Sequence, residues 1–430
     1  MTERITLTRS NSLKGEVSPP PDKSISHRAL IFCSLAKGSS RIKNLLRAAD
    51  PISTMNAMRA LGVEIIDRAD EIVIKARGLY ELSEPQDIID CGNSGTTMRL
   101  LTGLLSAQPF FSVLTGDSSL RSRPMKRVIT PLSEMGASIM ARQENSLAPI
   151  AIKGGRLRGI HYRCPVASAQ VKSAILLAGL YAEGTTTVVE PRKSRDHTER
   201  MLPAFGAKIS VDDLSVSISS GAELYPVDIV VPGDFSSAAF FMVAALIIKG
   251  SEVLIKNVCI NPTRTGLINA ISSMGGNIQI LNEREVSGEP VADILCQYTE
   301  GLKGIDLPEE LVPSMIDEFP IFTVLATQAE GITTVRGAEE LRVKESDRIS
   351  TMARELSKMG VEVEEFPDGM SIKGPVKLKG AQLNSHHDHR VAMALSVAAL
   401  VAEGESVIEG TEAVDISFPG FYEVLRRLSV

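Results

Sequence analysis

Chemistry in this sequence is concentrated in short polar stretches rich in Arg, Lys, Ser and Asn. The first is Asp22-Lys23-Ser24-Ile25-Ser26-His27-Arg28, preceded by Pro19, Pro20 and Pro21. The prolines bar strand continuation, and either Asp22 or Ser24 fits a helix N-cap. Arg28 lies four residues past Ser24, on the same helical face. A cation at a helix N-terminus opposes the dipole, so Lys23 implies an anionic ligand. The second stretch is Cys91-Gly92-Asn93-Ser94-Gly95-Thr96-Thr97-Met98-Arg99. Its small residues let backbone N–H groups approach an anion. No Lys follows the final Gly, so it is not a Walker A loop. The third runs from Asp117 to Arg127, where Arg123 precedes a helix-starting Pro and fits a fork for carboxylate or phosphate.

Further stretches follow the same logic. Ser168-Ala169-Gln170-Val171-Lys172-Ser173 opens an apolar helix with Ser168 as its cap, and Arg195-Asp196-His197-Thr198 fits another helix start. Asp317 heads an apolar run, where a plain N-cap and a functional carboxylate fit equally well. Lys344 and Arg348 are four apart and are predicted to share a helical face, as salt-bridge lacing or as anion ligands. His386-His387-Asp388-His389-Arg390 has the residue types of a metal site. Its spacing does not converge on one face as i, i+4 pairs do. The reading is therefore Arg390 as an anion binder and no metal.

The elements that must position these residues repeat along the chain. An apolar helix runs to a Gly and then a β-branched strand at Gly38, Gly184, Gly250, Gly331 and Gly404, with a looser copy at Ala107-Gln108-Pro109. These glycines fit helix C-caps. A second marker recurs at Gly62, Gly136, Gly206, Gly275 and Gly360, spaced by 74, 70, 69 and 85 residues. The period signals a repeat architecture of helix, strand, helix and strand pair. The helices begin near Asp22, Gly92, Ser168, Asp234, Asp317 and His386. Six N-termini of this kind, brought to comparable faces, make anion-binding ground. The fold class is α/β (α+β), with six repeats in two similar domains. The expected division is 21–234 for repeats one to three, and 1–20 plus 235–430 for repeats four to six, with a cleft between the halves. A first strand over Arg4 to Val17 is expected to complete the last repeat.

Composition narrows the class. A chain of 430 residues exceeds one ordinary core. The net charge of −6 and the absence of Trp disfavour nucleic acid, which asks for a basic footprint and stacking aromatics. Five scattered cysteines without CxxC suggest neither zinc nor a disulfide framework and fit a reducing, cytoplasmic compartment. The most apolar stretch, Ala238 to Ile248, is too short to span a bilayer. Met1 to Lys14 has no apolar signal core.

In order and spacing, PPDKSISHRAL, GNSGTTMRLL, RPM, SAQVKSA, RVKESDR and DHRVAMA resemble the motifs of the EPSP synthase family, in the form of its second bacterial subclass. The resemblance covers almost the whole chain. It implies two domains of three βαβαββ units each, of the inside-out α/β barrel type. It implies transfer of the enolpyruvyl group of phosphoenolpyruvate to the 5-hydroxyl of shikimate 3-phosphate, by a monomer, without metal or organic cofactor. Lys23, Ser24, Arg28, Ser168, Ala169 through its backbone, Gln170, Arg195, Asp317 and Lys344 would hold shikimate 3-phosphate. Lys23, Asn93, Gly95, Thr96, Arg123, Gln170, Arg348 and Arg390 would hold phosphoenolpyruvate. Asp317 would take the hydroxyl proton, and Lys23 and Glu345 would move protons near carbon 3.

The chain departs from the family pattern at Ala169, where many relatives have Ser, and in Asp415-Ile416-Ser417-Phe418-Pro419, which lacks a Lys that many relatives carry. Gly95 is retained where some herbicide-tolerant members carry Ala, which implies a glyphosate target. Three other readings compete. A UDP-N-acetylglucosamine enolpyruvyl transferase would carry a Cys in the loop that here reads Ser118-Ser119-Leu120. An RNA-terminal phosphate cyclase would need a basic track. A non-catalytic anion-binding protein would not need Asp317 and Glu345 among cations.

Overall fold

The structure is a computed structural model and describes residues 3–430. It divides into two compact units. One comprises Pro21–Val231 together with the turn Val286–Glu289; the other comprises the chain up to Pro20, Pro232–Glu285 and Pro290–Val430.

The 21–231 unit holds three four-stranded sheets of one design. In the first, Gly38–Lys43 pairs antiparallel with Glu71–Ala76, which pairs antiparallel with Glu64–Asp67. Ile229–Val230, from the end of the unit, adds a parallel edge beside Gly38–Lys43. The second sheet repeats the order with Ile89–Asp90, Phe111–Thr115, Leu147–Lys153 and Ser138–Ala141. The third uses His161–Arg163, Thr185–Val189, Ser215–Ser219 and Lys208–Asp212. Each repeat thus reads βαβαββ. The strands alternate exposed and buried positions, as in Thr185–Val189, so each sheet turns one face inward.

Those inner faces meet helices that are apolar on nearly every side. Leu100, Leu101, Leu104 and Leu105 of Gly95–Ser106 are all fully buried, as are Ile175, Leu176 and Leu177 of Ala169–Gly179. These two helices touch at Gly103, where a Cβ would stand 2.1 Å from the Ala174 carbonyl oxygen. Any larger residue there pushes the helices apart.

The 232–430 unit repeats the design around Phe235–Ile247, Phe319–Ala326 and His389–Ala399. Every residue of Phe235–Ile247 is buried, and Phe240, Phe241, Phe418 and Phe421 pack edge to face beside it. Among the described residues no helix is long and apolar enough to cross a membrane.

Two sequence expectations are corrected. The segment Arg4 to Val17 is two strands. Arg4–Thr8 pairs with Glu405–Glu409 in the last repeat, as expected of the whole segment, but Lys14–Val17 pairs in parallel with Glu252–Ile255 of another sheet. The glycines of the first marker are not C-caps; helix Ala169–Gly179 ends five residues before Gly184, for example. They enter the next strand with positive φ, as at Gly184 and Gly404. The second marker supplies the left-handed caps, as at Gly62 behind Ala49–Ala60 and Gly360 behind Arg348–Lys358.

Candidate active site

In the 21–231 unit, helices Lys23–Leu35, Ala49–Ala60 and Gly95–Ser106 pack together near their starts. Of the two capping candidates, Asp22 caps the first: its Oδ1 accepts the Ile25 N–H at 2.8 Å. Lys23 is therefore the first helical residue, against the dipole. Asp50, in the first turn of the second helix, meets its Nζ at 3.2 Å. The protein thus supplies an anion that the sequence reading assigned to a ligand alone.

Ser94, rather than Gly92, caps Gly95–Ser106, accepting the Thr97 N–H at 3.1 Å. The turn before it holds a guanidinium. Asn93 Oδ1 accepts from Arg123 Nη2 at 2.5 Å, while the Asn93 amide donates to Asp117 Oδ2 at 2.7 Å. Arg123 also donates to the Asn93 carbonyl and to Ser119 Oγ, each at 3.3 Å. It ends the short helix Ser118–Ser122, and the helix expected at Pro124 starts at Lys126. A Cβ on Gly95 would lie 2.6 Å from Arg99 Nη1 and 3.5 Å from Arg123 Nη1. A Cβ there would displace the Arg99 guanidinium while making ordinary contact with that of Arg123.

Gln170 joins the same cluster. Its Oε1 accepts from Arg99 at 2.7 Å and its Nε2 donates to Thr96 Oγ1 at 2.8 Å, which fixes the amide orientation. Ser168 caps its helix, accepting the Val171 N–H at 3.5 Å, and Ala169 is the first helical residue.

Arg28 is buried and, among the described residues, donates to neutral oxygens: Thr198 Oγ1 at 2.8 Å, Ser173 Oγ at 2.6 Å and the Ser24 carbonyl at 3.0 Å. Desolvation lowers its pKa to about 10; the charges of Glu199 and Asp22 oppose that, and nearby Arg195 reinforces it. Lys172 is consumed by structure: its Nζ sits 2.6 Å from both Glu190 and Glu199. Burial alone would lower its pKa, but those carboxylates raise it.

In the 232–430 unit, Asp317 does not cap its helix. Glu318 holds the N-cap position of Phe319–Ala326, its carboxylate turned to Ser236 Oγ rather than to the helix N–H groups. The Asp317 carboxylate meets Arg348 Nη1 at 3.2 Å and Arg390 Nη2 at 3.7 Å, and its carbonyl accepts from Arg390 Nη1 at 3.3 Å. Arg348 is buried and also binds Glu345 at 2.7 Å and Asp388 at 2.9 Å. Burial alone would lower the Arg348 pKa; Asp388, Glu345 and Asp317 outweigh it and raise it. Asp388, rather than His386, is the cap of His389–Ala399, accepting the Arg390 N–H at 2.9 Å. Its burial raises its pKa, but Arg348 wins and lowers it.

Lys344 and Arg348 do not share a helix. Lys344 ends the turn Glu339–Val343 in extended backbone, and Asp347 caps Arg348–Lys358. Desolvation lowers the Lys344 pKa, with Asp317 opposing. The histidines diverge: His386 Nε2 meets buried Glu355 at 3.2 Å, and His387 faces Glu412 at 3.6 Å. Among the described residues no group of three or more His, Cys, Asp or Glu could hold a metal.

Sequence reasoning missed Arg99, Asp50 and Asp388 as members of these clusters. Arg99 follows Gly95 by one turn inside a motif already quoted, so helical spacing alone could have found it. Asp388 reads only as part of the histidine run and Asp50 is not singled out, because no local signal marks their cationic partners.

The chain matches the family model for EPSP synthase (3-phosphoshikimate 1-carboxyvinyltransferase) over residues 7–425. It is 57% identical over 424 residues to the 3-phosphoshikimate 1-carboxyvinyltransferase of Thermodesulfovibrio yellowstonii, covering 98% of this chain and 99% of the relative. It is 50% identical to that of Brevibacillus brevis, covering 98% and 99%. Its structure is similar to EPSP synthase from Acinetobacter baumannii, with TM-score 0.89, 46% identity and coverage of 100% and 98%. The enolpyruvyl transferase NikO from Streptomyces tendae shares the fold, with TM-score 0.78 at 16% identity and coverage of 100% and 98%.

Proposed function

We propose a division of labour among these side chains from the premise that the chain belongs to the EPSP synthase family and is a 3-phosphoshikimate 1-carboxyvinyltransferase. It transfers the enolpyruvyl group of phosphoenolpyruvate to the 5-hydroxyl of shikimate 3-phosphate and releases phosphate, within the shikimate pathway to the aromatic amino acids. The alternative sugar-nucleotide acceptor is not favoured.

The substrates together carry two phosphates and two carboxylates, so cations must bind them. In our reading Lys23, Ser24, Arg28, Ser168, Ala169 through its backbone, Gln170, Arg195, Asp317 and Lys344 bind shikimate 3-phosphate. Lys23, Asn93, Gly95, Thr96, Arg123, Gln170, Arg348 and Arg390 bind phosphoenolpyruvate. Asp317 takes the proton of the 5-hydroxyl as its oxygen adds to carbon 2, while Lys23 and Glu345 serve the proton that carbon 3 gains. The tetrahedral intermediate then expels phosphate from carbon 2 as carbon 3 returns a proton, and the enol ether forms.

The observation that carries this reading is Arg348 with Asp317 on one nitrogen at 3.2 Å and Glu345 on another at 2.7 Å. One buried cation thereby holds two carboxylates apart, and the reaction needs one proton removed and another delivered. One chain is the working unit and the cytoplasm its compartment. Five buried thiols without a disulfide support the latter.

The test is phosphate release from phosphoenolpyruvate with shikimate 3-phosphate in EDTA, beside UDP-N-acetylglucosamine as the competing acceptor. Release with shikimate 3-phosphate alone supports the assignment. Release only with the sugar nucleotide, or dependence on a divalent metal, overturns it.

A further inference from the structure

We propose that His27, Thr54 and Thr97 form a positioning chain that sets Lys23, Asp50 and Gly95 relative to one another, and so tunes phosphoenolpyruvate binding. The proposal rests on the assignment of Lys23 and Gly95 above. His27 lies one helical turn after Lys23, Thr54 one turn after Asp50, and Thr97 in the first turn that opens with Gly95. Each of the three helices thus contributes one link just inside its first residues.

The links are continuous. His27 Nδ1 is 2.7 Å from Thr54 Oγ1, and Thr54 Oγ1 is 2.7 Å from Thr97 Oγ1. Thr97 Oγ1 donates to Ser94 Oγ at 2.7 Å, with the Asp50 carbonyl a longer second acceptor at 3.4 Å. All four side chains belong to residues that are fully buried. Turning any of the three helices about its axis breaks a hydrogen bond between fully buried groups.

Proton counting gives the chain a direction. The Thr97 hydroxyl spends its proton on Ser94, so it accepts from Thr54. Thr54 then has no proton left for His27 and must accept from it. The His27 proton therefore sits on Nδ1. Nε2 is left as a bare, buried nitrogen with no hydrogen-bond partner among the described residues. An apolar side chain would fill that space without the orphaned nitrogen. What the imidazole contributes is its Nδ1–H. Burial, with the nearby charges of Lys23 and Arg28, lowers the His27 pKa and keeps the ring neutral.

The experiment compares Thr97→Val, Thr97→Ser, Thr54→Val and Thr54→Ser with the wild-type enzyme. Steady-state constants are measured for both substrates, and the His27 ring nitrogens are read by 15N NMR. Removing one link should raise KM for phosphoenolpyruvate about fivefold, the value of one hydrogen bond. KM for shikimate 3-phosphate should rise less, because Ser24, Arg28, Ser168 and Arg195 lie outside the chain. The Ser variants keep the hydroxyl and should recover most of the loss. Wild-type His27 should show the Nδ1–H tautomer, unchanged between pH 6 and pH 9 on the scale of an ordinary histidine near 6.5, and Thr54→Val should lose it.

A lowered unfolding midpoint with both KM values unmoved would reduce the chain to a structural role and overturn the proposal. A wild-type Nε2–H tautomer would overturn the proton order. A wild-type enzyme inactive with shikimate 3-phosphate sinks the functional assignment instead, and the NMR arm still reads the tautomer.

Discussion

Arg28 and Arg348 are both buried, yet their surroundings push them in opposite directions. Arg28 donates to two hydroxyls and a carbonyl, and desolvation lowers its pKa to about 10. Arg348 is bonded to Asp317, Glu345 and Asp388, whose charges raise its pKa. Neutral partners orient a guanidinium without cancelling its charge, so Arg28 remains available to an anion. Carboxylate partners offset much of it, so Arg348, besides the anion proposed for it, holds Asp317 and Glu345. A count of cations along the chain would treat the two as alike.

The sharpest way to break this comparison is Arg348→Met. It leaves three carboxylates around an empty cationic position, one of them buried Asp388. Breaking a buried pair costs about 3–5 kcal/mol, so chemical denaturation should show a loss of that order. Asp317→Asn keeps the shape but removes the proposed base, and kcat should fall about 10³-fold, within the range of general acid–base catalysis. Fluorescence-detected binding of shikimate 3-phosphate should persist in that variant.

Arg28→Met should behave differently from Arg348→Met. Its partners are neutral, so stability should fall only about 1–2 kcal/mol, while KM for shikimate 3-phosphate rises by an order of magnitude or more. Equal destabilisation by the two variants would erase the distinction. Acid stability sharpens the same half of the molecule. The folded pKa of His27 is depressed below its unfolded value of about 6.5. The unfolded chain therefore binds the extra proton, and this contribution is present above that pH and lost as pH falls below it. The wild type should lose stability through this window faster than His27→Gln, by up to about 1.4 kcal/mol per pH unit. The smallest effect belongs to Lys344, whose pKa burial lowers. Binding of shikimate 3-phosphate should weaken on the alkaline side at a pH below the usual lysine range near 10.4, and Lys344→Arg should move that limb upward.

The repeat was legible because glycine and apolar period are local properties. Gly62, Gly136 and Gly360 mark left-handed helix ends that a side chain resists. Asp22, Ser168 and Asp234 were legible as helix starts for a similar reason, since a cap bonds within three residues. The fate of Arg4 to Val17 was not legible. Its two strands pair with residues near 407 and near 253, and a strand's own pattern does not name its partner. The histidine run shows the same limit: positive φ at His386 and His387 splays side chains that look clustered on paper.

By itself the sequence determined the repeat, the helix starts and the presence of Lys23, Arg28, Arg123, Arg348, Arg390, Asp317 and Glu345 in motifs of one family. Only the tertiary structure decided which of those charges are already met. Asp50 answers Lys23 from 27 residues away, and Asp388 answers Arg348 from 40. Coulombic energy depends on distance and on how much water has been removed, and both are set when remote segments are folded against each other.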